Sequence, residues 1–290
     1  MSQLSKQHLY MLLEIMRLVL LQLKVGEDKS SNIHNAVDKI AQAVHEYKPR
    51  MVTLPECFNC PYGTKYFRKY SETIPDGYTS QQLSASAKAH GIYIIGGTIP
   101  ELGENDRIYN TCTIWDPTGK LIAKYRKMHL FDIDIEGGIR FKESETLTAG
   151  TDFTVVDVDG HKIGVGICYD IRFEELARVY RNEGCEMIIY PGAFNMTTGP
   201  LHWELLQRSR ANDNQLYVVT TSPARDENAE YVAWGHSTVV NPWGQILKKA
   251  SQNEDLISVD IDFSIVEQVR AQIPTFKQRR LDMYVTTRLK

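Results

Sequence analysis

The chain has 290 residues, 42% of them hydrophobic and 24% charged, with a formal net charge of −3. That length and composition suit one large α/β domain or two small ones. A balance without basic excess argues against a nucleic-acid surface, since Lys and Arg cluster only at 124–127 and 277–280. No apolar run reaches the ~18 residues that would span a bilayer.

Residues 1–15 read as an N-terminal extension, and residues 16–290 as a single domain. Leu18–Leu23 predicts the first strand. Asn32 is placed to cap a helix with an apolar stripe of Ile33, Val37, Ile40, Ala41 and Val44. Met51–Leu54 predicts a second strand and Ser80–His90 a helix ended by Gly91. Strands follow at Tyr93–Gly97, Thr111–Trp115 and Lys120–Arg126. Residues 128–150, polar and broken by glycines, read as an active-site loop. Phe153–Val158 and Lys162–Ile167 are strands, and a helix follows Cys168. Met187–Tyr190 is a strand, Leu201–Asp213 a helix and Leu216–Thr221 a strand. Asn241-Pro-Trp-Gly244 predicts a hairpin turn. Residues 256–261 form a last strand and 263–272 a last helix. No linker or repeat divides the chain, so composition alone supports an α/β or α+β domain.

Three of these strands end on residues that carry chemistry. The run Ile163–Ile167 stops at Cys168, and an amphipathic pattern begins about two turns later. Backbone N–H groups at such a turn can stabilise a thiolate and then an oxyanion. Cys168 is therefore the candidate nucleophile, against the alternative of a small buried thiol. Met51-Val-Thr-Leu-Pro55 ends at Glu56, and Gly119–Arg126 ends at Lys127. Either could be merely solvated. Together the three strand ends are more specific than any one alone.

The five cysteines make an odd count without a secretory signal, which favours free thiols in a reducing compartment. The expected location is cytoplasmic, with a mitochondrial address as the alternative. Cys57-Phe-Asn-Cys60 has zinc-like spacing but lacks a second pair, so no metal is expected. No phosphate-binding glycine motif is present, and no cofactor is expected. His129 and His236 invite a Cys-His reading, but Lys127 and Glu56 already fill those roles.

The blocks Leu54-Pro-Glu56, Tyr125-Arg-Lys127 and Gly166-Ile-Cys168-Tyr-Asp170-Ile-Arg172-Phe resemble the nitrilase superfamily. So do Gly96-Gly-Thr-Ile-Pro-Glu101, Tyr109-Asn-Thr111 and Tyr190-Pro-Gly-Ala-Phe-Asn195. The likeness runs from about Met16 to the C-terminus and is nearest to the omega-amidase branch. One departure is Phe173-Glu174, where many relatives carry Phe-Pro.

The resemblance implies a four-layer αββα sandwich and a Glu56–Lys127–Cys168 catalytic set, with Glu143 as a second glutamate. It implies hydrolysis of the terminal amide of a small 2-oxo dicarboxylate. A deaminated glutathione amidase and an N-carbamoyl amide hydrolase are the alternatives, and an idle interaction protein is the rival from another class. A homodimer is the expected assembly. Of the three residues, Glu56 alone can take a proton and return it, so it is the expected general acid–base. A nearby Lys⁺ would favour the Cys168 thiolate. Lys127 and the Tyr169 N–H would bind the oxyanion. Arg172, one helical turn past Cys168, is the expected clamp for the substrate carboxylate, against an ion pair with Glu174, Glu175 or Asp170. Tyr62 and Thr197 are expected pocket walls.

Overall fold

The computed structural model describes residues 15–289. Residues 1–14, most of the expected N-terminal extension, lie outside it. In chain order the first half comprises β1 (Ile15–Gln22), α1 (Lys29–Tyr47), β2 (Met51–Thr53), α2 (Thr64–Tyr70), α3 (Tyr78–His90), β3 (Tyr93–Ile95), β4 (Ile99–Leu102), β5 (Ile108–Trp115), β6 (Leu121–Arg126), β7 (Asp132–Asp134) and β8 (Arg140–Lys142). The second half comprises β9 (Val155–Val158), β10 (His161–Val165), α4 (Glu174–Asn182), β11 (Met187–Pro191), α5 (Gly199–Asn214), β12 (Tyr217–Thr221), β13 (Thr238–Val240), β14 (Ile246–Lys249), β15 (Asp255–Asp262) and α6 (Ser264–Gln272).

Two large sheets result. One runs β15-β1-β2-β3-β5-β4, with β6 also paired to β5; the other runs β14-β13-β12-β11-β10-β9. Parallel pairs β1–β2, β2–β3, β10–β11 and β11–β12 form the centre of each. Helical crossovers join them, as parallel pairing requires.

The period-two alternation of β1 explains the layering. Leu18 and Leu20 pack with Ile163, Val165 and Ile189 of the second sheet. Val19 and Leu21 point the other way, onto Ala36, Ile40, Leu83 and Ala87 of α1 and α3. On the far side of the second sheet, Leu176, Ala177 and Tyr180 of α4 and Ala211 of α5 extend the first core. The order is helix, sheet, sheet, helix, as the resemblance implies. At ~25 cal/mol per Å2, burying both faces of a sheet is a dominant stabilising contribution.

Local differences have physical reasons. Asp28, not Asn32, caps α1, its carboxylate accepting from the Ser31 N–H at 2.6 Å. Asn32 is buried inside the helix and bonds both ways to the Gly26 backbone. The buried stripe is Ile33, Ala36, Ile40 and Ala43, rotated from the expected one. The segment 128–150 holds a small hairpin, β7–β8, whose Phe141 packs against Tyr62 and Tyr231. The Asn241–Gly244 turn joins β13 to β14 as expected, with Gly244 at φ +74°.

Candidate active site

Strand ends deliver the three chemical groups to one place. Glu56 follows β2 after Pro55, Lys127 follows β6, and Cys168 follows β10; each is at most 4% exposed. Lys127 Nζ donates to Glu56 Oε1 at 3.0 Å and to Glu143 Oε1 at 3.0 Å. Cys168 lies within electrostatic reach of both Glu56 and Lys127. The backbone of Lys127 is fixed too, its N–H donating to the Asn110 carbonyl at 2.8 Å.

Each carboxylate is fully occupied. Glu56 Oε1 also accepts from Asn110 Nδ2 at 2.9 Å, and Oε2 accepts from the Ala193 N–H at 2.8 Å. Glu143 Oε1 accepts from the Tyr62 hydroxyl and Oε2 from the Phe131 N–H, both at 2.7 Å. Buried carboxylates require such donors, because an unpaired charge in a dry site is expensive.

Cys168 sits at φ +45°. For a residue with a Cβ this left-handed conformation is strained, and such strain concentrates at functional turns. The close approach of Gly192 makes room for it: a Cβ there would lie 3.3 Å from the Cys168 Cα. The Asp170 carboxylate braces the turn, accepting from the Ile167 N–H at 2.9 Å, the Tyr125 hydroxyl at 2.9 Å and the His129 N–H at 2.9 Å. His129 Nδ1 lies 2.7 Å from the same carboxylate, so this histidine braces the turn. His236 Nδ1 instead bonds the Ala250 carbonyl.

The electrostatics differ from expectation at the thiol. Burial pushes Cys168 well above the ordinary thiol range, and the Glu56 carboxylate adds to this; Lys127 only partly opposes them. These surroundings therefore favour a neutral thiol beside a carboxylate, not a preformed thiolate. Burial also raises Glu56, against the pull of Lys127. Burial alone would lower Lys127, but Glu143 and Glu56 together hold it well above its usual value. Its ammonium form is thus locked in.

A cavity of about 480 Å3 reaches this cluster at Glu56 and is walled also by Cys57, Tyr62, Ala193 and Tyr231, among others; Lys127 and Cys168 lie behind that wall. Tyr62 lines this cavity, and the Tyr231 hydroxyl donates to the Ala193 carbonyl at 2.6 Å. Thr197 is not in that wall: it is exposed, its N–H tied to Asn195 Oδ1 in a local turn. Arg172 does not line the cavity either, yet it lies within electrostatic reach of both Cys168 and Tyr231. Its guanidinium lies over the Phe194 ring at 4.9 Å and the Tyr169 ring at 5.6 Å, with Nη1 3.3 Å from His202 Nδ1. Among the described residues no carboxylate pairs with it, so the ion pair with Glu174, Glu175 or Asp170 is absent. The Tyr169 ring packs edge-on against Phe131 at 5.2 Å. Among the described residues no cluster of three His, Cys, Asp or Glu side chains could hold a metal ion.

A sequence model of the Carbon-nitrogen hydrolase family matches residues 17–271. The chain belongs to that family. The Omega-amidase NIT2 of Xenopus tropicalis is 56% identical to this carbon-nitrogen hydrolase over 268 residues, covering 92% of the chain and 96% of the relative. The Homo sapiens Omega-amidase NIT2 is 54% identical with the same coverage. Among solved structures, Saccharomyces cerevisiae Nit3, a member of branch 10 of the nitrilase superfamily, superposes with a TM-score of 0.85 at 45% identity. That superposition covers 92% of this chain and 97% of the other.

Sequence reasoning missed four parts of this carbon-nitrogen hydrolase site: Asn110, the Ala193 N–H, Asp170 as a brace, and Tyr231. Asn110 and Ala193 lie inside blocks that carry the resemblance, but their roles depend on two strands meeting in space. A buried asparagine in an apolar strand is the one local signal that could have flagged Asn110.

Proposed function

We propose that this carbon-nitrogen hydrolase is an omega-amidase, hydrolysing the terminal amide of 2-oxoglutaramate or 2-oxosuccinamate to the 2-oxo acid and ammonia. One observation carries the reading: a buried carboxylate, ammonium and thiol meet at three strand ends, the carboxylate lining a cavity, in a chain 56% identical to an omega-amidase.

Chemistry follows from the protonation states. Glu56 takes the Cys168 proton as sulfur attacks the amide carbon, a step that a raised thiol makes obligatory. The oxyanion forms beside Lys127 and the Tyr169 N–H. When it collapses, the C–N bond breaks and Glu56 passes its proton to the nitrogen, which leaves as ammonia. Glu56 then takes a proton from water attacking the thioester, and returning it to sulfur releases the acid. Glu143 Oε1 also accepts from Lys127 Nζ, so Lys127 keeps a carboxylate partner even while Glu56 holds a proton. Arg172, behind the cavity wall and without a carboxylate partner among the described residues, is the proposed clamp for the substrate carboxylate. Tyr62 and Tyr231 shape the cavity; Thr197 keeps at most an outer role, given its exposure.

The reading extends to a homodimer in a reducing compartment, the cytoplasm. Its supports are five free cysteines and an exposed apolar face on α5, where Leu201 and Leu205 are 66% and 60% exposed. Among the described residues no helix is long and apolar enough to cross a membrane.

The test is ammonia release by purified protein from 2-oxoglutaramate, 2-oxosuccinamate, deaminated glutathione and an N-carbamoyl amino acid. Preference for the first two, lost entirely in Cys168→Ala, is expected. Faster turnover of either of the others, or activity surviving in Cys168→Ala, overturns the reading.

A further inference from the structure

Away from the catalytic cluster, arginines crowd around Phe276. The guanidinium carbons of Arg181, Arg279 and Arg178 lie 4.1, 5.3 and 5.8 Å from the centroid of its ring. Arg178 is only 6% exposed. One neutral ring can attract a cation on each face, but only weakly at exposed sites. It cannot offset the mutual repulsion of three.

Protein counter-charges do not compensate. Among the described residues, none of the three guanidiniums makes an ion pair with the protein. The acids nearest Arg178 are Glu174 and Asp213, and Asp213 offers it only a backbone carbonyl, 3.1 Å from Nη2. Arg181 and Arg279 donate no side-chain hydrogen bond to any described residue, and Arg178 Nη1, Arg181 Nε and Arg279 Nε are buried without partners. Arg270 adds a fourth positive charge nearby, its own donors spent on the Gln215 and Cys185 carbonyls. Burial and these neighbours push Arg181 down to about 10, well below the usual guanidinium range. Burial and like-charge neighbours therefore disfavour the charged form here.

We propose that Arg178, Arg181 and Arg279 form a binding site around Phe276 for a small oxyanion of the phosphate class, carrying two or more negative charges. Guanidinium forks match phosphate oxygens in paired N–H contacts. The arrangement converges on a single ring instead of following a stripe, which fits a compact anion better than a nucleic-acid backbone. The site lies on α4 and the C-terminal segment, distinct from Arg172 and the cavity at Glu56.

The test titrates the full-length protein with inorganic phosphate and with pyrophosphate at constant ionic strength, by calorimetry and thermal unfolding. Wild type should bind saturably, with Tm rising by a few degrees. Binding should weaken about tenfold or more in Arg181→Gln and in Arg279→Gln, and stay unchanged in Arg172→Gln. Arg181→Lys should fall between. In anion-free buffer Arg181→Gln should unfold at a higher temperature than wild type, because a repelling charge is gone, while its ammonia release is unchanged. No saturable binding by wild type, or wild-type binding in both glutamine variants, overturns the proposal. So does a change of oligomeric state in Arg181→Gln without any phosphate effect, since a second copy's carboxylates would then be the occupant.

Discussion

At Asp170 four donor groups meet one buried carboxylate, and they come from both sides of the reaction centre. Tyr125 and His129 belong to the segment that carries Lys127, and Ile167 precedes the nucleophile. The residue therefore sets the distance between ammonium and sulfur without touching substrate. Asp170→Asn places an amide NH2 against donors and should destabilise the fold by about 2–3 kcal/mol. It should lower kcat more than it changes KM; an unchanged kcat would show the brace to be structural only. The acid–base pair carries a second expectation. Below the pKa of Glu56 the base is protonated and the rate falls. Burial and Glu143 raise that pKa, so the acid limb of kcat/KM should lie above the ordinary carboxylate value of 4.5. Glu143→Gln removes a like charge and should move the limb to lower pH, while reducing kcat through a loosened Lys127. A limb that stays put would mean Glu143 does not act on Glu56. Lys127→Ala removes an oxyanion donor and should cost about 10²–10³ in kcat.

Strand β6 delivers Lys127, and one buried carboxylate on β4 fixes where β6 ends. Glu101 is 2% exposed and accepts from Lys124 Nζ at 2.6 Å, Arg126 Nε at 2.7 Å and Thr111 Oγ1 at 2.7 Å. Burial alone would raise it, but these partners lower it to about 2. Because the folded value lies below the unfolded one, its stabilisation is complete above pH ~4.5 and fades as pH falls towards 2. Glu101→Gln should cost about 2 kcal/mol at neutral pH, discounted for the partly exposed cations, and should flatten the acid limb of the stability curve. Parallel acid unfolding curves for the two proteins would refute this. Glu101 also marks how far elements were legible in the sequence. The long apolar runs at β1, β5 and β10 read directly, as did the strand ends bearing Glu56, Lys127 and Cys168. Helix α2 has only Phe67 and Tyr70 buried and no side-chain cap, so it left no periodic trace. Strand β4 contains Pro100, which hides an edge strand. The hairpin β7–β8 is three residues a side and exists because Glu143 ties it to Lys127. Residues with local signals were readable; those defined by cross-strand meetings, such as Asn110 on Glu56, were not.

Over the whole molecule, α5 faces two ways. Trp203, Gln207, Arg210 and Ala211 are buried on the second sheet side. One turn apart on the opposite side stand Leu201 and Leu205, next to Trp243, itself 39% exposed. Arg208 anchors the helix to the hairpin turn through its Nε bond to the Gly244 carbonyl at 2.8 Å. A rigid helix showing an apolar face beside an aromatic ring is a poor surface to leave in water. It is well suited to a self-complementary two-fold contact. The same helix begins a few residues past Ala193, whose N–H holds Glu56. Assembly through this face would therefore stiffen the loop that orients the base. Leu205→Asp puts a charge at the centre of this proposed contact without touching the core. It should leave a folded protein whose mass in analytical ultracentrifugation falls from that of a dimer to that of a monomer, with kcat reduced several-fold. A wild-type protein that sediments as a monomer at micromolar concentration would remove this assembly. A Leu205→Asp protein that stays dimeric would move the contact to another face.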